Sequence, residues 1–136
     1  MQRMMTTALL LLLAVPAAPG DASKGRRPRL DLRVSPRIAF VPVSVSVTAE
    51  LQGGDELEDF YCPGLEWDWG DGGRSETESD CAPFDAKEGF DRRFFARHSY
   101  RAPGQYSVKL TLRRSDRAIA VASANIMVHA SVGGSY

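Results

Sequence analysis

The sequence predicts an all-β fold, one sandwich of about seven strands, and three observations predict it. Apolar residues recur at every second position in several separate segments, the mark of strands buried on one face. Clusters rich in Gly, Asp and Ser divide those segments and supply turn chemistry. Beyond the first 20 residues no segment shows a strong apolar repeat of helical period, and no internal repeat is found.

The elements follow in chain order. Arg3 gives a positive start, Ala8 to Val15 is an apolar run, and Pro16 to Ala22 supplies small residues for a peptidase. A spanning helix needs roughly 20 apolar residues, so residues 1–20 are expected to be a signal peptide and the mature chain is not expected to enter a membrane. Cleavage after Ala17, Gly20 or Ala22 satisfies the small-residue rule equally. No cysteine follows the run, which argues against a lipidated N-terminus. Residues 21–29 form a basic, Pro-containing lead-in expected to be flexible, with order beginning near Leu30 to Val34. The domain is expected over residues 30–130, with 131–136 as a tail.

Val41, Val43, Val45, Val47, Ala49 and Leu51 alternate with Pro42, Ser44, Ser46, Thr48 and Glu50, which predicts a half-buried strand. Pro42 has no N–H for a ladder and confines the first part to an edge or bulge. Gln52 to Asp55 is a turn. A second strand is expected from about Leu65 to Trp69, with Leu65, Trp67 and Trp69 on one face and Glu66 and Asp68 on the other. Gly70 to Gly73 closes it, glycine accepting positive φ without steric conflict. Residues 74–97 are expected to be a long inserted connection whose Phe84, Phe90, Phe94 and Phe95 pack back onto the body. In the last hairpin Tyr106, Val108, Leu110 and Leu112 face inward, and Ser107, Lys109 and Thr111 outward. Arg113 to Arg117 turns the chain, and Ile119 to Val128 returns as the final strand.

Two motifs narrow this class. The first is Trp67-Asp68-Trp69-Gly70-Asp71-Gly72; the second is His98-x-Tyr100-x-x-Pro103-Gly104-x-Tyr106-x-Val108-x-Leu110-Thr111-Leu112. Together, and in this order, they resemble the two signature strands of a polycystic-kidney-disease-type (PKD) domain, an immunoglobulin-like β-sandwich, over about Leu30 to Ala130. The resemblance implies that Trp67 and Trp69 sit in or beside the core. It implies that Tyr100 ties down the chain where it crosses between sheets, with His98 its neighbour in that corner. It also implies contacts with proteins or polysaccharides. The connection over residues 74–97 departs from the pattern, because members return to the second motif much sooner.

Cys62 and Cys81 are an even pair in a chain expected to be exported, and a disulfide is expected in preference to two free buried thiols. Formal charge sums to zero but is segregated. Between Glu50 and Asp91 fourteen acidic residues stand against Arg74 and Lys87, whereas from Arg92 onward eight basic residues stand against Asp116. Opposite blocks of this kind either steer a charged partner or neutralise each other within the fold.

Candidate chemistry is sparse. Asp68 and Asp71 are too few and too close to build a calcium loop, and Asp71 is expected to bond backbone N–H groups of its own turn. Asp55, Glu56, Glu58 and Asp59 form an acidic cluster that could gather Ca2+ with Glu76, Glu78 or Asp80; solvated surface is the competing reading. Arg92, Arg93, Arg97 and Arg101, interleaved with Phe94 and Phe95, suit an acidic glycan, while pairing with the neighbouring acidic stretch is the alternative. Export leaves nucleic acid without a role as partner. No G-x-S-x-G, H-E-x-x-H or C-x-x-C accompanies His98 or His129, so no enzyme is expected. The expected function is a non-catalytic exported binding module, bacterial in source, in the envelope or the medium, contacting a protein or polysaccharide. The alternative is a calcium-stabilised spacer or assembly subunit with no separate ligand.

Overall fold

Alternating burial forms the strands, and the same alternation presses two sheets face to face. The computed structural model describes residues 14–16, 25–55 and 57–131. The expected signal peptide apart from residues 14–16, the start of the lead-in, Glu56 and residues 132–136 of the tail lie outside them. Eight strands are found among the described residues: β1 (Arg29–Ser35), β2 (Ile38–Phe40), β3 (Val43–Gln52), β4 (Gly64–Asp68), β5 (Arg74–Thr77), β6 (Arg93–Tyr100), β7 (Gly104–Arg114) and β8 (Arg117–His129). One 3-10 turn, Glu58–Phe60, precedes β4.

The strands form a three-stranded sheet, β1-β3-β6, and a five-stranded sheet, β2-β8-β7-β4-β5. All pairings are antiparallel except β2 with β8, which is parallel. The chain therefore leaves the first sheet after β1, visits the second as β2, and returns as β3. Pro36 and Pro42 flank that visit and lie outside every ladder, where a missing N–H removes no bond. Between the sheets, Val45, Val47, Ala49 and Leu51 of β3 join Trp67, Trp69, Val108, Leu110, Leu112, Ile126 and Val128 in one core. Each Val, Leu or Ile among them contributes about 1.5–3 kcal/mol by leaving water.

The expected all-β sandwich is the observed one, with differences of detail. Arg74–Thr77 and Arg93–Arg97, expected within the insertion, are ladder residues: β5 pairs with β4 and β6 with β3. The connection between ladders is thus residues 78–92. Thr111 points outward, as the alternation requires, yet is only 7% exposed. It lies in the middle of the five-stranded sheet, in register with Glu66 on one side and Val121 on the other, and these neighbours cover it. Cys62, just before β4, and Cys81, after β5, form a disulfide with Cα atoms 6.2 Å apart.

Candidate binding surface

The motif residues converge at the end of the sandwich where β4 and β6 finish. Trp69 lies flat on the His98 ring at 4.5 Å and 4°, and Trp67 stacks on Trp69 at 5.4 Å and 6°. His98 Nε2 meets Asp71 Oδ2 at 2.7 Å, while Asp71 Oδ1 accepts the Gly73 N–H at 2.9 Å. Asp68 Oδ1 accepts the Gly70 N–H at 3.0 Å, and the Trp69 indole N–H donates to Ser75 Oγ at 3.0 Å. Gly70 has φ +78, and a Cβ there would lie 2.7 Å from the Ser107 carbonyl oxygen, so glycine is required by both backbone and space. Burial opposes the Asp71 charge, but the hydrogen bonds from His98 and Gly73 and the His98 charge outweigh it and hold this carboxyl below the ordinary value. Burial, followed by the Asp71 charge, pushes the Tyr100 hydroxyl well above its usual range.

Two tyrosines share the task expected of Tyr100. Tyr100 donates its O–H to the Trp69 carbonyl at 2.7 Å, joining the end of β6 to the end of β4 across the sandwich. Tyr106, at the start of β7, donates to the Ala102 carbonyl four residues upstream at 2.6 Å, the local tie of a tyrosine corner. Pro103 and Gly104 lie between, in the turn from β6 into β7. The ring of Tyr106 lies 4.2 Å from that of Tyr100. These bonds and stacked rings tie the ends of β4 and β6 to each other, so the cluster holds the fold.

The acidic loop is dispersed among local partners. The Asp55 carboxylate accepts the Arg26 N–H, and Asp59 lies 3.4 Å from Arg114. Among the described residues no three acidic, His or Cys side chains come together as metal ligands, and Glu56 is not one of those described.

Strand alternation divides the arginine–phenylalanine segment. Phe94, Ala96, His98 and Tyr100 point into the sandwich, whereas Arg93, Phe95, Arg97 and Ser99 form one outward row. Phe95 is 70% exposed. Arg93 lies 3.6 Å from Glu50, its partner in register on β3. Arg92 is drawn away: it donates to the Gly53 carbonyl at 3.2 Å and lies over the Phe90 ring at 5.9 Å. Arg101 is exposed beyond the end of β6. The outward row of β6 continues across the sheet as Ser44, Ser46, Thr48 and Glu50 of β3, then Asp31, Arg33 and Ser35 of β1. The β3 side of this surface was legible in the Ser/Thr alternation; its union with β1 and β6 was not, because pairing partners are distant in sequence.

No known family profile matches the chain, and no curated protein matches it. Solved structures do. One is a carbohydrate-binding module of the β-sandwich superfamily, at TM-score 0.52 and 20% identity, covering 81% of this chain but 37% of that one. Another is the PKD domain of an M14-like peptidase from Thermoplasmatales archaeon SCGC AB-540-F20, at TM-score 0.53 and 15% identity, covering 78% of this chain and 99% of that one. The fold is a PKD-like β-sandwich.

Proposed function

We propose that this chain is a non-catalytic binding module, acting outside the cytoplasm on a protein or polysaccharide partner through the outer face of the β1-β3-β6 sheet. The observation that carries this reading is the outward row Arg93, Phe95 and Arg97, in which a largely exposed phenylalanine stands between two arginines on an edge strand. A row of this composition matches the aromatic and arginine bias of binding surfaces. The disulfide supports an exported location, since such bonds persist in oxidising compartments. Among the described residues no helix is long and apolar enough to cross a membrane. The motif histidine bonds Asp71 through Nε2 and stacks on Trp69, contacts that serve the fold.

The test is capture of partners from envelope and culture fractions with the wild-type chain and with an Arg93→Ser, Phe95→Ser, Arg97→Ser bait. A partner retained by wild type and lost by this bait supports the module and its surface. A partner held equally by both moves the surface elsewhere, and capture of nothing by either removes the reading.

A further inference from the structure

We infer that the outer face of the β1-β3-β6 sheet is a groove for an extended acidic polysaccharide; this rests on the binding-module reading and names the class of partner. The groove follows from register. In successive rows across the sheet, Arg93 stands beside Glu50 and Asp31, Phe95 beside Thr48 and Arg33, and Arg97 beside Ser46 and Ser35. Ser46 and Thr48 of the middle strand form a floor of short hydroxyl side chains, flanked by Arg97 and Phe95 on β6 and by Arg33 on β1, with Glu50 at one end. Strands lie about 4.8 Å apart, so β1 and β6 run roughly 10 Å apart on either side of β3. A depression of 320 Å3 occupies part of this floor, lined by Asp31, Arg33, Ser46, Thr48, Glu50 and Arg93 among others.

Phe95 and Arg97 stand beside this depression, outside its lining, and the two together set the chemistry. Asp31 lies 3.4 Å from Arg33, and Glu50 lies 3.6 Å from Arg93, so the two acids of the groove are already matched. Arg97 is exposed and pairs with no acid among the described residues. An excess guanidinium over a hydroxyl floor calls for an anion with planar oxygens, such as a uronate carboxylate or a sulfate ester. The floor hydroxyls both donate and accept, which suits sugar hydroxyls, and Phe95 offers a ring face for the apolar side of a pyranose. Protein interfaces are more apolar at their centre, and in these rows Phe95 is the one large apolar side chain. The groove runs along β3, so the ligand is extended.

The test is binding of the full chain to polygalacturonate, with an uncharged β-glucan and dextran sulfate as controls, by affinity electrophoresis and calorimetry. Three variants probe the groove: Arg97→Ser, Phe95→Ala, and Ser46→Trp, which fills the exposed floor. Phe40→Ser alters an exposed ring on the other sheet. Wild type is expected to bind polygalacturonate in preference to the neutral glucan. Arg97→Ser weakens binding about tenfold or more, from loss of a charge-assisted bond; Ser46→Trp abolishes it, and Phe40→Ser leaves it unchanged. Binding that survives Ser46→Trp overturns the groove. Equal retention on dextran sulfate by wild type and Phe95→Ala, without polygalacturonate binding, means undirected charge attraction and overturns it too. If no glycan binds while a protein is captured through the same residues, the polysaccharide inference fails and the binding module stands; if neither binds, both fail.

Discussion

Asp71 is one link between the turn after β4 and the end of β6, since one oxygen takes the Gly73 N–H and the other takes His98 Nε2. Burial opposes its charge, but the hydrogen bonds from His98 and Gly73 hold its carboxyl below the ordinary aspartate value in the folded protein. A depressed folded value stabilises the fold fully above the unfolded value, and the contribution is lost as pH falls through the folded one. Acid titration of stability, followed by denaturant midpoint between pH 6 and the lowest pH at which the chain refolds, is therefore expected to decline less in Asp71→Asn than in wild type. Equal declines would show that Asp71 is not the acid-sensitive link. Tyr100→Phe strips the donor from the buried Trp69 carbonyl and is expected to cost about 1–3 kcal/mol, whereas Tyr106→Phe, whose partner is exposed, costs about 0.5–1.5 kcal/mol. Equilibrium unfolding of the two variants side by side checks the order. Same-face spacing made Trp67 and Trp69 legible as core residues. The stacking of His98 on Trp69 was not legible, because it joins β6 to the residue that follows β4 and period-two patterning speaks only within a strand.

At the level of elements, the disulfide and the ladders make separable contributions. Cys62 and Cys81 sit outside all strands and close a loop with sequence separation 19 around β4 and β5. Chain-entropy reasoning gives such a loop about 3 kcal/mol. Reduction, or Cys62→Ser with Cys81→Ser, is expected to lower unfolding free energy by about that amount while the far-UV circular dichroism keeps its β form. Collapse of the β signal would mean that the staple, and not the paired strands, defines the sandwich. The strands that escaped the sequence have identifiable reasons. β5 is Arg-Ser-Glu-Thr, exposed throughout, so nothing apolar marks it. β2 spans only three residues and exists through parallel pairing with the distant end of β8. In β6 the adjacent Phe94 and Phe95 break the alternation that separates an inward from an outward ring. The arginines assigned to one surface were split for the same reason, with Arg93 and Arg97 on the outer face and Arg92 held at Gly53.

Across the whole molecule the segregated charge of the sequence is folded back on itself. The acidic block supplies Glu50, Asp59 and Glu66, and these meet Arg93, Arg114 and Arg113 of the basic block. Arg74 adds contacts at 3.7 Å to Glu66 and 3.6 Å to Asp68. Arg74 and Arg93 are largely exposed, and pairs of that kind contribute about 0–1 kcal/mol each. Stability should then respond weakly to salt, while any function that depends on the outer-face arginines should respond strongly. Raising ionic strength from 0.01 to about 1 M shortens the screening length from about 30 to about 3 Å. Melting temperature across this range is expected to change little, and polygalacturonate affinity to fall steadily, less steeply in Arg97→Ser than in wild type. Parallel loss of both would mean that the charges hold the two sheets together and leave none in excess for a ligand. Separation of the two responses would place stability in the apolar core and recognition on the arginines of β6, a division that follows from one period-two strand facing two different solvents.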